Sequence, residues 1–282
     1  MPFSVLLEVA LQPCGWLSLG TGLPLLSAEP LHFRNLDGAL TALREVRPDT
    51  GTLTTCVRLV DVSRSGGMSL VFFEVETLVS GEPVLRLTTS FGFFPGEALA
   101  QQIGLPPAGD EGAWFARPAE VSLELPDLRA RSSSLPRQRL ALLDRITGFW
   151  PTAGRAGLGR LRAEKDVRAS DWFFKAHFFQ DPVQPGSLGL EALVELLKCH
   201  LVSTYGGKTP SGASFEALAL GAPLRWKYRG QVAPANRVVT LELEVLESGR
   251  DTHGARATAD GWLWVDGLRI YAAQGLSARM LY

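Results

Sequence analysis

The sequence predicts an α+β fold made of two similar units, each a long antiparallel sheet wrapped around one helix. Residues 2–11 match residues 185–194 at their proline, serine, leucine and glutamate positions, which indicates an internal repeat. In both halves this segment opens a helix, predicted over about residues 3–20 and 187–205, and strand-like runs separated by short turns follow it. A helix followed by an antiparallel meander is best accommodated by a twisted sheet that curls around the helix.

The strands of the two meanders follow from β-rich runs bounded by turn residues. In the first half we predict strands over residues 31–34, 54–62, 69–79 and 83–94. In the second half we predict them over residues 224–227, 237–246, 255–265 and 268–281, with a long turn over 247–254. Ser80-Gly81 and Asp266-Gly267 are hairpin signals between such runs. Two further elements, over residues 140–146 and 161–167, precede the second helix and have no counterpart before the first.

These elements divide the chain into a first unit (residues 1–103), a connector (104–137) and a second unit (138–282). The connector is rich in proline, glycine, serine and charged residues, so we expect it to run over the surface. The first unit starts directly with its helix, and we expect residue 1 to be an excision point within a longer polypeptide.

Composition and charge exclude several functional classes. The 282 residues are 46% hydrophobic, which is enough for a substantial core. A net charge of −1 argues against general affinity for nucleic acid or anionic membranes. Because the sequence shows no long uninterrupted apolar run and no basic region before its apolar start, we predict neither a transmembrane helix nor a signal peptide. Three cysteines without metal-ligand spacing favour a reducing compartment, and we expect the cytoplasm.

The densest group of aromatic and titratable residues lies directly before the second helix. His177 is surrounded in sequence by five aromatic residues, Pro185-Gly186 mark the helix start, and Ser187 is the predicted N-cap. Glu191 falls in the first turn, where the helix dipole favours its anionic form. A histidine among aromatics is more often a packed core residue, and an acid in a first helical turn is common. The residues alone therefore leave a purely structural interpretation open.

These residues also supply the groups that removal of water from a 3-hydroxyacyl thioester requires. A base must take a proton from C2, an acid must protonate the departing C3 hydroxyl, and a donor must stabilise the thioester oxygen. His177, a glutamate and the Gly186 backbone N–H form such a set.

Residues 171–196 resemble the active-site segment of the FabA/FabZ-type 3-hydroxyacyl-ACP dehydratases. The family pattern is His-Phe, then Pro-x-x-Pro-Gly, then Leu-x-x-(Asp/Glu)-Ala, and the resemblance extends over residues 138–282. Here the pattern is His177-Phe178, Pro182-Val183-Gln184-Pro185-Gly186 and Leu188-Gly189-Leu190-Glu191-Ala192. The first half, through residues 6–15 and 32–38, resembles the dehydratase region of polyunsaturated fatty acid synthases and related polyketide-like megasynthases.

The resemblance implies a double hotdog fold and dehydration of a 3-hydroxyacyl group on an acyl-carrier protein. It implies no metal and no organic cofactor. The implied partners are the carrier and other domains of a megasynthase. We expect no nucleic acid partner and no insertion into a membrane. By matching position His177 is the base, Glu191 occupies the acid position, Gly186 N–H holds the thioester oxygen and the Val183 carbonyl orients the imidazole.

A second glutamate competes with Glu191 for the role of acid. In this family the histidine and the acid of one site come from opposite protomers, and Glu8 in the first half repeats Glu191 in register. If the two halves pair as an intramolecular pseudo-dimer, His177 faces Glu8. Whether the chain also forms a homodimer is a separate possibility that the sequence does not decide. Because the helix acid is Glu rather than Asp, isomerisation to a cis-3-enoyl product is in doubt. A hotdog acyl-thioesterase and a non-catalytic scaffold are the alternative functions.

Other candidate residues have ordinary structural interpretations. We expect His32 on a sheet face, His253 in a turn, and His200 without the partners of a zinc site. Arg225, Lys227 and Arg229 are candidates for contact with phosphopantetheine, although solvated strand charges are more common. The glycine-rich segment 206–209 follows a helix and is not a phosphate loop.

Overall fold

The first half of the molecule has the predicted helix and meander. The computed structural model describes residues 1–109, 111–126, 139–206 and 214–282. The elements are α1 (Phe3–Gly20), β1 (Leu31–Ala42), β2 (Leu53–Ser65), β3 (Met68–Val79), β4 (Glu82–Pro95) and the short helix α2 (Gly96–Ala100). The first strand, predicted over four residues, continues to Ala42 because it pairs along its length with β4.

The second half repeats this order after two added strands. Its elements are β5 (Arg145–Trp150), β6 (Arg160–Asp166), α3 (Phe173–Ala176), α4 (Gly186–Tyr205), β7 (Ser214–Phe215), β8 (Pro223–Tyr228), β9 (Val238–Asp251), β10 (Gly254–Val265) and β11 (Leu268–Leu281). Of the glycine-rich segment 206–209, residues 207–209 lie outside the part of the chain that the structure describes.

Two predicted elements are placed differently. The element predicted over residues 140–146 is displaced: strand β5 begins only at Arg145, while the Leu140, Leu142 and Leu143 side chains pack in the core before it. The long turn predicted over residues 247–254 is wrong. Pairing of β9 with β10 continues to Asp251 opposite Gly254, so only two residues make the turn.

The described strands form one antiparallel sheet with an internal mirror order. The order is β2-β3-β4-β1-β8-β11-β10-β9-β6-β5, with β7 beside β11. The two halves meet at β1 and β8, paired from Asp37 opposite Lys227 to Thr41 opposite Pro223. The two units therefore join edge to edge in one sheet and pair as an intramolecular pseudo-dimer. Strands β6 and β5 extend only the second unit within the described residues.

A glycine permits close packing at this junction. The Trp226 ring on β8 lies over Gly38 on β1, where an added Cβ would come within 2.1 Å of the ring. Trp226 is 2% exposed, and its Nε1–H donates to the Asn35 side chain at 2.9 Å. Any side chain at this position would therefore have to displace the Trp226 ring or separate the two strands.

The two long helices lie on the inner side of the sheet and contact each other. Helix α4 is buried on nearly all sides, whereas α1 buries one face and exposes Val5, Trp16 and Leu19. By length and composition alone α1 is apolar enough to cross a membrane, a weak criterion that buried core helices also meet. The sequence analysis did not identify α1 as a helix apolar enough to cross a membrane. The expected lack of membrane insertion stays a prediction.

The described part of the connector lies against the second unit, as expected for a surface segment. The Arg269 guanidinium donates to the Leu105 carbonyl at 2.7 Å, and Arg162 donates to the Phe115 carbonyl at 2.6 Å. Trp114 meets Trp150 edge to face with ring centroids 5.3 Å apart. Residues 127–137 of the predicted connector lie outside the described part of the chain.

Candidate active site

His177 is held in one orientation by the loop that joins α3 to α4. Its Nδ1 lies 3.0 Å from the Val183 carbonyl oxygen, and the Val183 N–H donates to the His177 carbonyl at 2.8 Å. Because a carbonyl only accepts, Nδ1 must carry the proton, which leaves the Nε2 lone pair available as a base. The contact expected between Val183 and the imidazole is therefore present.

The surroundings of His177 do not support the packed-core alternative. Phe173 and Phe174 are buried, but Phe178 is 36% exposed and Phe179 is 90% exposed. The loop therefore lies at the surface, with the imidazole partly buried behind it. Burial lowers the pKa of His177 despite the opposing hydrogen bond to the Val183 carbonyl, and the charge of Arg34 lowers it further. The imidazole is thus favoured in its neutral form, as a base requires.

A clamp from the first unit holds this loop, and the sequence pattern did not reveal it. Asp181 accepts two hydrogen bonds from Arg34, at 2.7 and 2.8 Å, and its Oδ2 lies 2.9 Å from His32 Nδ1. Burial alone would raise the pKa of Asp181, but these bonds outweigh it and lower the pKa to about 2. His32 lies on strand β1, as expected of a sheet-face residue, and its contact with Asp181 is an addition that the sequence did not predict. The available signal was His32 and Arg34 at i and i+2, on one face of a strand.

The two glutamates cross between the helices. Glu8 of α1 accepts a hydrogen bond from the Ser187 hydroxyl of α4 at 2.6 Å. Glu191 of α4 accepts one from the Ser4 backbone N–H of α1 at 2.7 Å. Each carboxylate therefore lies at the start of the opposite helix, as pairing of the two halves predicts. Glu191 is 3% exposed and has Lys198 Nζ 3.9 Å away.

The role predicted for Ser187 as N-cap is wrong. Helix α4 begins at Gly186 with Pro185 as its cap, and no side chain caps it. The Ser187 hydroxyl instead binds Glu8. Burial raises the pKa of Glu8, while the hydrogen bonds from Ser187 and Gln12 oppose that rise. A raised pKa keeps more of this carboxyl protonated, as a general acid requires.

Two glycines open the first turn of α4 to aromatic rings. A Cβ added at Gly186 would lie 2.5 Å from Tyr228, and one added at Gly189 would lie 2.3 Å from Tyr271. Gly186 is the first helical residue, and the first N–H groups of a helix have no acceptor within it. Such a group, with the positive end of the helix dipole behind it, can polarise a carbonyl oxygen.

The remaining candidates belong to other parts of the molecule. Arg229 forms a bidentate ion pair with Asp37 across the junction of β1 and β8, at 2.9 and 3.0 Å. Its guanidinium therefore helps to join the two units. His200 Nε2 lies 3.2 Å from the Ser248 hydroxyl near the other end of α4. Across the described ranges, no group of three or more His, Cys, Asp or Glu side chains could hold a metal ion.

Comparison with known proteins relates the chain to a family and to a fold. The FabA-like domain family matches residues 135–274. The chain is 31% identical, over 99% of its length, to one of the polyunsaturated fatty acid synthase polypeptides of Thraustochytrium sp., and it spans 20% of that relative. A crystal structure from Lactobacillus plantarum, assigned as an oleoyl thioesterase, superposes with a TM-score of 0.55 at 14% identity, covering 100% of this chain and 90% of that one.

At 14% identity the structural match shows only the fold, and that fold agrees with a double hotdog. The family relationship rests on the sequence matches. The second half of this chain belongs to the FabA-like domain family, and the chain as a whole is related to a region of a polyunsaturated fatty acid synthase.

Proposed function

We propose that this chain removes water from a 3-hydroxyacyl thioester on an acyl-carrier protein and gives the 2-enoyl thioester. His177 Nε2 takes a proton from C2, which develops negative charge on the thioester oxygen. The Gly186 N–H stabilises that charge, and the Glu8 carboxyl protonates the C3 hydroxyl as its C–O bond breaks. The products are the 2-enoyl thioester and water, so no oxidant or reductant is consumed.

The hydrogen bond between Glu8 and Ser187 is the observation that carries this proposal. It brings an acid from α1 to the residue that follows Gly186, at the helix start that the His177 loop leads into. Base, acid and donor must converge because C2, C3 and the thioester carbon are consecutive atoms. Glu191 has the Ser4 N–H and Lys198 as neighbours, so we assign it a structural role.

The similarity to a fatty acid synthase polypeptide supports a carrier-linked substrate and other synthase domains as partners. We propose dehydration without isomerisation, because the acid is a glutamate in both halves. The proposed chemistry needs no cofactor, since proton transfers and one backbone N–H suffice.

One assay separates the candidate functions. A 3-hydroxyacyl-pantetheine is incubated with the protein while enoyl absorbance and free thiol are both followed. We expect enoyl formation without thiol release, and a loss of roughly 100- to 10,000-fold in a folded His177→Ala variant. Thiol release without enoyl would identify a thioesterase, and the absence of both would leave a scaffold. Full activity of a folded His177→Ala protein would refute the assignment of the base.

A further inference from the structure

Tyr228, the last residue of β8, lies against the start of α4. Its ring packs on Gly186 so closely that an added Cβ would sit 2.9 Å from Cζ, the carbon that carries the hydroxyl. The ring is also stacked at an angle on Tyr271, with centroids 4.3 Å apart. Tyr228 is therefore fixed in place, and its hydroxyl lies near the N-terminal turn of α4.

The hydroxyl of Tyr228 is buried and has no hydrogen-bond partner among the described residues. Because Tyr228 is only 5% exposed, bulk water does not provide a hydrogen-bond partner for this hydroxyl. Nearly all buried polar atoms in native proteins have a partner, because an unpaired one retains its desolvation penalty. A ligand can supply the missing partner of such a hydroxyl where the hydroxyl also lies beside a proposed binding site, as that of Tyr228 does beside Gly186.

The neighbours of this hydroxyl identify the part of the ligand that it meets. Gly186 is the proposed donor to the thioester oxygen, and Ser187 holds Glu8 one residue further along. Burial raises the pKa of Tyr228 well above its usual range, and Tyr271 adds to the rise. The hydroxyl thus stays protonated and is a hydrogen-bond donor on the side of the acid.

We propose that the Tyr228 hydroxyl binds the C3 hydroxyl of the substrate, an inference that rests on the proposed function. Tyr228 donates a hydrogen bond to the C3 oxygen and so turns it toward Glu8. Tyr228 transfers no proton, since Glu8 supplies the proton that leaves with the water. The residue thereby selects 3-hydroxyacyl chains over saturated chains of equal length.

The test compares two ligands in a protein that cannot turn over. In the His177→Ala background, the affinities for 3-hydroxybutanoyl-pantetheine and butanoyl-pantetheine are measured by calorimetry with and without Tyr228→Phe. We expect Tyr228→Phe to weaken binding of the 3-hydroxy ligand by about 3- to 10-fold, which is the net loss of one hydrogen bond. Binding of butanoyl-pantetheine should not change.

A stability measurement and a matched control accompany the comparison. Removing an unpaired buried hydroxyl should raise the Tm of the free protein by about 2 °C or more. Tyr205→Phe removes a hydroxyl that binds Ser248 at the far end of α4, and should leave both affinities unchanged.

Each other outcome overturns the inference. Equal weakening of both ligands would mean that Tyr228 meets the thioester carbonyl, and no change for either would mean that its hydroxyl meets no substrate. Because binding is measured without turnover, failure of the dehydration assay on the unmodified chain is a separate result. That result would remove the proposed function while the ligand comparison still reports on Tyr228.

Discussion

The Ser187 hydroxyl donates a hydrogen bond of 2.6 Å to the Glu8 carboxylate, which joins the first turn of α4 to the second turn of α1 through two residues 179 positions apart in sequence. The equivalent residues in the other direction, Ser4 and Glu191, are joined through the Ser4 backbone N–H instead. The repeat is therefore symmetric in its positions and asymmetric in its hydrogen bonds. The bond from Ser187 brings Glu8 to the helix start that the His177 loop leads into.

The two glutamates should differ in their effects on catalysis. Glu8→Gln removes the proposed acid, so we expect the rate of enoyl formation to fall by roughly 100- to 10,000-fold. Glu191→Gln keeps an oxygen to accept from Ser4 N–H, and should lower the rate far less. It should lower stability, because the buried Lys198 loses its nearby charge. Unchanged turnover in Glu8→Gln would contradict the assignment.

The two serines provide a second comparison across the repeat. The Ser187 hydrogen bond opposes the rise in the pKa of Glu8 that burial causes, so Ser187→Ala should raise that pKa further. The acid then stays protonated to higher pH, and the alkaline limb of the kcat/KM profile should move upward. Ser4→Ala is the control, since the Ser4 hydroxyl is buried without a partner in the described structure and the bond to Glu191 comes from its backbone. Equal profiles for Ser187→Ala and the unmodified protein would argue against Glu8 as the titrating acid.

The repeat in the sequence explains how much of this could be predicted. Pairing of two similar units predicts both the junction of β1 with β8 and the crossing of Glu8 and Glu191. Local patterns predicted most strands to within two residues at one or both ends, because alternation and turn residues are local signals. The element predicted over 140–146 begins too early because a short apolar run does not distinguish a strand from an irregular buried segment.

The clamp on Asp181 was beyond sequence reasoning of this kind. His32 and Arg34 reach Asp181 across 149 and 147 positions, and no repeat relates the partners. Only the packing of one unit against the loop of the other creates these contacts. The same applies to Tyr228, whose unpaired hydroxyl is visible only when its surroundings are known.

Arg34 should act on catalysis through the loop that it holds. Arg34→Ala removes two hydrogen bonds to Asp181, and loosening the His177 loop should lower kcat by up to about 100-fold. Since the Arg34 charge lowers the pKa of His177, the acid limb of the pH profile should also move to higher pH. Arg47→Ala, which removes an exposed ion pair with Glu45, is the matched control. An unshifted acid limb would mean that Arg34 does not influence the imidazole.

Gly38 should be intolerant of any side chain. An added Cβ meets the buried Trp226 ring at 2.1 Å, so Gly38→Ala must displace the ring or separate β1 from β8. Overpacking of this kind costs about 1–3 kcal/mol of unfolding free energy, measured by denaturant titration. Gly249→Ala on β9 meets nothing within 4 Å and should be nearly neutral. Equal stability of the two variants would show that the junction adapts.

Glu242 should make stability fall as pH rises toward neutrality. It is 2% exposed on β9 under the connector, and burial raises its pKa to about 7 although Arg160 and Trp264 oppose the shift. Below the ordinary value of 4.5 the carboxyl is protonated in both the folded and the unfolded chain, so it has no effect there. Between pH 4.5 and 7 the unfolded chain ionises first, which favours unfolding.

Above pH 7 Glu242 is ionised in both states, and its ionisation lowers the free energy of unfolding by at most about 3 kcal/mol relative to pH 4.5. Glu242→Gln removes this titration and can still accept from Trp264 Nε1–H, which lies 3.3 Å from the carboxylate. Its stability should therefore equal that of the unmodified protein near pH 4.5 and exceed it by about 1–3 kcal/mol at about pH 8, as measured by denaturant midpoints. Glu247→Gln, an exposed change of the same charge on the same strand, should show no such dependence. A constant difference between Glu242→Gln and the unmodified protein across this range would mean that the carboxyl is already ionised in the folded state.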